Sequence, residues 1–438
     1  PMLIIDDEAD NASLNNLGHK RAPEFATKTN MLIRAILAMT NRKSYLGYTA
    51  TPFANILQDR NEAGERNYEL AFRGTDYSFP LEDNLFPDHF IELLNPPSNY
   101  TGIKQFFDTR NEDIKKVNGL VARAIDLDDP FYFMSVPPRF LKNSDEQTTS
   151  IETGTRAAKS LDGFPNKLNG LPKSLEEGVY CFVLSIAMKL SREEKVQKLP
   201  NYWDKHRTML IHISLFSQWQ NDLEPLIITF LEKIITKINN QNQGTGVWND
   251  FKRMWNKHYK YIVTNIHNDL SYKDEYMMPL NYENDVQDFI YEALKDIEVV
   301  TLNSSKVNKG KKLIYNDNDP KKYIAIGGNR LSRGFTLEGL TINYFLRKAN
   351  TVDTLMQMAR WFGYRPGYLD SCKLFTISKN IEKFNEASLI MEDLEDKFKY
   401  LASLDGRQPS DYTLWIRNNP DVIKLTRGNF LKGTTLKH

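Results

Sequence analysis

Tyr323 to Leu346 reads YIAIGGNRLSRGFTLEGLTINYFL. An apolar run, Tyr323–Gly327, and a second strand, Leu340–Leu346, flank a loop rich in glycine and arginine. Apolar runs of this length bounded by glycine read as strands buried in a sheet. Glycines in the loop let backbone amides approach a phosphate, and arginine pairs with phosphate bidentately. The plainer reading is a tight turn out of a strand. The loop lacks GxxxxGK followed by Ser or Thr, so it is not a Walker-type phosphate loop.

Working outward, a helix follows at 351–362 and carries Gln357, Arg360, Trp361 and Phe362, with Arg365 just beyond. The three aromatic residues Trp361, Phe362 and Tyr364 read as packing groups rather than base-stacking ones. Lys373–Ile377 is a strand and 380–403 a charged helix. Upstream lie strands at Val299–Asn303 and Thr208–Ser214, with helices over 216–239, 247–295 and Leu175–Arg192. Alternating strands and helices imply a parallel sheet. Residues 61–177 change character, with Pro, Asp and Asn clusters, and read as an insertion or linker, helical in part near 102–125.

At the N-terminal end, Met2–Asp6 is a buried strand that runs into Asp6-Asp7-Glu8-Ala9-Asp10. Two adjacent acids at a strand end suit Mg-nucleotide hydrolysis: one carboxylate holds Mg²⁺ and its neighbour takes a proton from the attacking water. An acidic surface turn is the alternative. A second strand, Tyr45–Thr49, ends at Thr49-Ala50-Thr51-Pro52, where paired hydroxyls link to the acids or simply close the strand.

Composition bounds these readings. The chain has 438 residues, enough for two or three domains, and an apolar fraction of 41%. Its formal net charge is +1, from 57 basic and 56 acidic residues, which excludes a protein that coats nucleic acid but not a motor that grips a few phosphates. Cys181 and Cys372 form no CxxC pair, so neither a zinc module nor a disulfide framework is indicated. The two thiols and the lack of any long apolar run predict a cytoplasmic protein without a membrane span.

The order acid box, Thr-Ala-Thr, Arg-Gly loop, Gln/Arg helix resembles motifs II, III, V and VI of superfamily-two helicases. The stretches Leu331-Ser-Arg-Gly-Phe-Thr-Leu-Glu-Gly-Leu-Thr341, Tyr344-Phe-Leu-Arg347 and Asp353 to Tyr368 resemble the Z-one domain family of putative endonucleases. Further agreement lies in Leu85-Phe-Pro-Asp-His-Phe90, Pro96-Pro-Ser-Asn-Tyr-Thr-Gly102 and Met209-Leu-Ile-His-Ile-Ser214.

The resemblance implies two RecA-like α/β parallel-sheet domains, the first incomplete, with a largely helical insertion. The expected boundaries are 1–60 for the end of the first domain, 61–177 for the insertion, 178–380 for the second domain (helical insertion about 220–295) and 381–438 for a helical tail. It further implies a DNA-dependent ATPase or translocase of a restriction-like or phage-defence system, using ATP and Mg²⁺ on duplex DNA. Hsp90-like ATPase, methyltransferase or nuclease partners from the same gene cluster are implied as well.

Carried over residue by residue, Asp7 is the Mg²⁺ carboxylate and Glu8 the general base. Asp10, Thr49 and Thr51 couple the nucleotide to nucleic acid. Arg333, Gly334 and Thr336 form the second-domain loop, Gln357 contacts the active site, and Arg360 and Arg365 are arginine-finger candidates. These arginines are five apart rather than the usual three. No Walker-type lysine occurs in the chain. The expectation is that upstream sequence is missing or that another polypeptide supplies it. A nuclease and a non-catalytic DNA- or partner-binding scaffold are the alternatives. No convincing nuclease motif supports the first, since the acidic and basic residues around Glu232-Lys233 read as ordinary helix surface.

Overall fold

The computed structural model describes residues 1–14, 27–57, 67–82, 84–110, 114–124, 170–214, 216–303, 305–328, 331, 336–347, 349–404, 408–409 and 416–426. The chain forms two compact units. The first comprises Pro1–Leu94, Ala349–Gln357 and Ile390–His438; the second comprises Asn95–Lys348 and Met358–Leu389.

In the first unit β1 (Met2–Asp7) and β2 (Lys43–Tyr48) pair in parallel, with Asp7 opposite Tyr48. Parallel strands need a crossover, and the helix Lys28–Ala38 lies between them in sequence. Thr27 caps its N-terminus by accepting the Asn30 N–H at 3.3 Å. A hairpin follows, β3 (Asn67–Phe72) with β4 (Thr75–Pro80). Its two-residue turn has positive φ at both Arg73 (51°) and Gly74 (79°), the requirement of a type I′ turn. The hairpin lies within the stretch expected to be insertion or linker; Arg-Gly is a weaker turn signal than Asn-Gly.

The second unit contains β5 (Tyr100–Thr101), β6 (Val121–Arg123), β7 (Arg207–His212), β8 (Ile297–Leu302), β9 (Lys322–Gly327), β10 (Leu340–Phe345), β11 (Gly363–Tyr364) and β12 (Lys373–Thr376). Six of these form one sheet in the order β6-β12-β10-β7-β9-β8, and every pairing is parallel. The α/β class and the parallel sheet agree with the sequence reading. Strands β7, β10 and β12 are buried at every residue. That requires cover on both faces, so the polar residues these strands carry, among them Thr341, Asn343 and Lys373, are buried as well.

Neighbouring residues on a strand face opposite sides. Tyr344 accordingly meets the helix Lys173–Lys195, its hydroxyl 2.7 Å from Ser174 Oγ, whereas Phe345 meets Phe384 of the helix Ser378–Ala402 at a centroid distance of 5.9 Å.

The expectation of partial helix near 102–125 is met by one short helix, Ile103–Phe106; β6 follows and extends the sheet beside β12. Val117, Leu120 and Ala124 are buried around this strand, and Leu374 donates to the Leu120 carbonyl at 2.8 Å. Three residues are too few for periodicity to register. The helix expected over 351–362 stops at Met358. Trp361 turns inward against Phe345 and Phe384, and Gly363 adopts a φ of 136° that carries the chain into β11.

Gly339 ends the Arg-Gly loop in a left-handed conformation (φ 63°), and a Cβ there would lie 1.8 Å from the His206 carbonyl oxygen. Gly339→Ala is expected to destabilise the fold by about 2–4 kcal/mol, through backbone strain and overlap. A chemical-denaturation midpoint matching that of the parent would refute this.

Candidate functional site

The parallel pairing of β1 and β2 brings both of their C-terminal loops to one end of the sheet. The Ala9 N–H donates to the Tyr48 carbonyl at 2.9 Å, stitching the acid box to the Thr-Ala-Thr loop. Gly47 permits this closeness, since a Cβ there would stand 2.8 Å from the Ala9 methyl. Glu8 holds a φ of 60°, a strained value for a residue with a side chain, of the kind that clusters at functional sites. Its N–H donates to Asp7 Oδ1 at 3.0 Å.

The carboxylates then divide by environment. Asp6 accepts a 2.5 Å hydrogen bond from the Tyr45 hydroxyl. Burial, reinforced by Asp6, pushes the Tyr45 phenol well above its ordinary range and keeps it protonated. Asp6 is thus a tether between the two strands. Asp7 and Glu8 are exposed at the strand end. Asp10 accepts from Thr51 Oγ1 at 2.8 Å and from Gln357 Nε2 at 2.6 Å. Gln357 also lies 3.3 Å from Thr51 Oγ1, and the Thr51 N–H donates to Thr49 Oγ1 at 3.0 Å. Asp10, Thr49, Thr51 and Gln357 therefore form one network inside the first unit.

The helix that presents Gln357, Val352–Met358, is itself anchored. Asp353 accepts from Thr426 Oγ1 at 2.8 Å and from the Thr354 N–H at 2.6 Å. The geometry fits an exposed acid pair beside a relay in which a shift of Gln357 is felt at Asp10 and Thr51.

The remaining candidates belong to the second unit. Arg333 and Gly334 lie outside the described residues; Thr336 is exposed on the loop that leads to β10. Arg365 is buried, and its guanidinium donates to the carbonyls of Tyr364 (2.8 Å), Trp361 (3.3 Å), Phe362 (3.3 Å) and Arg360 (3.4 Å). Those bonds hold its own turn together. Arg360 is only half-buried.

Sequence reasoning missed a second group, at the C-terminal ends of β7 and β10. In open α/β sheets this edge is where ligands bind. His212 is fully buried there, near Arg347 and Arg360. Burial first, and then these two arginines, push its pKa down to about 3. The signal available in sequence was a histidine ending an otherwise apolar strand.

His212 stays neutral in the fold yet protonates in the unfolded chain below about pH 6.5. Its contribution is therefore complete above that pH and declines as pH falls toward 3. The expected loss is about 1.4 kcal/mol per pH unit. His258 is also held below the usual histidine range, mainly by burial, and adds to the slope. His212→Gln should flatten the stability profile between about pH 6.5 and 5 by close to one proton. An unchanged slope in urea titrations would refute the assignment.

His206, Asp317 and Glu338 also converge, with Nε2 of the buried histidine 3.8 and 3.6 Å from the two carboxylates. The Lys321 N–H donates to Nδ1 at 3.1 Å, which places the neutral ring's proton on Nε2. The carboxylates thus face an N–H rather than a lone pair, and the trio does not present a metal ligand set. No helix among the described residues is long and apolar enough to cross a membrane.

A family model described as the Z1 domain matches residues 174–423, more than half of the chain. The match includes Thr336, Gln357, Arg360 and Arg365 and begins after the acid box. No curated protein matches, and no solved structure does.

Proposed function

We propose, from the premise that the chain belongs to the Z1 domain family, that it forms part of a RecA-like, DNA-dependent ATPase motor. The observation that carries this reading is the Asp10–Thr51–Gln357 network. It joins three segments that separately read as parts of one nucleotide-hydrolysis motif set, and it stands next to the exposed pair Asp7 and Glu8.

The donor set at Asp7 is chemically right for Mg²⁺, a hard cation that takes one or two carboxylates together with water and phosphate oxygens. The ion, with ATP, would neutralise phosphate charge. Glu8 would orient and deprotonate the attacking water. Asp10, Thr51 and Gln357 would report nucleotide state to the nucleic-acid contacts. Arg360 and Arg365 are the arginine-finger candidates, and use of Arg365 would require release of its four backbone carbonyls. The restriction or phage-defence setting, and the partner proteins implied by the resemblance, form part of this proposal.

These 438 residues contain no Walker-type lysine. The isolated chain is therefore expected to turn over ATP poorly or not at all, and measurable hydrolysis by it would count against this reading. The decisive assay is ATP turnover by the product of the full open reading frame, with and without duplex DNA. DNA-stimulated turnover supports the motor. Absence of turnover favours a DNA- or partner-binding scaffold.

A further inference from the structure

Pro96-Pro-Ser-Asn-Tyr-Thr-Gly102 is singled out by sequence, yet the motor reading gives it no role. It borders a cavity of about 250 Å³ in the second unit, lined among others by Ser98, Tyr100, Lys115, Asn268, Asp269 and Tyr272. Three separate segments meet there. The cavity therefore arises only in the folded chain.

Its chemistry narrows what it would hold. One ammonium (Lys115) and one carboxylate (Asp269) make the lining neutral overall. Asp269 already accepts the Asn118 N–H at 3.2 Å through one oxygen. A phosphate would be opposed by that carboxylate. An aliphatic ligand would use none of the polar groups that Asn268 and Ser98 bring to the rim. Two tyrosine rings supply aromatic surface, and pockets of this kind use a few convergent polar groups to fix orientation. A flat heterocycle with both donors and acceptors along its edge satisfies each condition.

We propose that this cavity binds a single nucleobase, taken either from a free nucleoside or from a nucleotide extruded from DNA. Occupancy reaches the arginine turn through the backbone. Tyr100 and Thr101 form β5, which pairs with Tyr364 and Gly363 of β11, immediately after Trp361 and Phe362. The Tyr100 ring also packs edge-on against Tyr364 at 5.5 Å and lies in the field of Arg365. A ligand that braces Tyr100 thereby braces the turn that Arg365 closes.

The test uses the full chain and reads no ATP turnover, so its outcome is independent of the motor reading. Adenosine, guanosine, cytidine and thymidine are screened by saturation-transfer NMR, alongside a DNA hairpin with one unpaired base and its fully paired control. Bound ligand is expected to slow hydrogen exchange in peptides covering 96–106 and 359–366. Asn268→Ala is expected to weaken binding about tenfold. Ser98→Trp, at an exposed position on the rim, should block binding while leaving the melting temperature unchanged. Binding of nucleosides points to a free ligand; binding of the unpaired-base hairpin alone points to DNA. The proposal is overturned if neither nucleosides nor hairpin bind the parent chain. It is equally overturned if both variants bind as the parent does.

Discussion

In the full open reading frame, Glu8→Gln is expected to lower DNA-stimulated ATP turnover by about 10²–10⁴-fold, the range for removing a positioned general base. The substitution keeps size and hydrogen-bonding reach while deleting the group that takes the proton. Glu8 sits at the exposed end of β1 with a φ of 60° and donates its N–H to Asp7. The turn's own hydrogen bond to Asp7 is kept in the variant, which should fold as the parent does. Asp10→Ala removes the acceptor for Thr51 and Gln357 instead. It should reduce the DNA stimulation more than the basal rate. The measurement is steady-state turnover over a DNA titration. A Glu8→Gln protein within threefold of the parent would exclude Glu8 as the base.

The largest stability effect is expected at Asp370. Arg192 Nη1 and Nη2 reach Asp370 Oδ1 and Oδ2 at 2.7 and 2.5 Å, and both side chains are essentially inaccessible, at 1% and 0%. The guanidinium donates further to the carbonyls of Gly367 (3.1 Å) and Met278 (2.8 Å). The bridge thereby fastens the helix Lys173–Lys195 to the turn before β12 and to the chain at 278. Such a pair contributes little net stability over a well-packed apolar replacement, but its disruption leaves a buried cation without its counter-charge.

Asp370→Ala is expected to destabilise by about 3–5 kcal/mol, read from the urea or thermal midpoint. The double variant Arg192→Met with Asp370→Leu should recover most of that loss. A single-variant loss below about 1 kcal/mol would mean that the guanidinium finds water, and that the pair is less buried than the structure has it.

The α/β class was legible in the sequence, because short strand-like runs such as Tyr323–Gly327 alternate along the chain with longer periodic stretches such as Leu175–Arg192. The acid box and the Thr-Ala-Thr loop were legible at strand ends too, since both are set by local order along the chain. The Arg73-Gly74 hairpin was legible in principle, through its turn; β6 was not, because three residues carry no period.

Tertiary structure adds which acids are engaged by neighbours: Tyr45 binds Asp6, and Thr51 and Gln357 bind Asp10, while Asp7 and Glu8 are exposed at the strand end. Arg360 and Arg365 read alike until Trp361 turns into the core and Arg365 closes the turn behind it. The physical reason is common to all of these. A side chain's role is fixed by its burial and by which donor reaches it, and both are set by segments as distant in the chain as Asp10 and Gln357, whose hydrogen bond spans 347 positions.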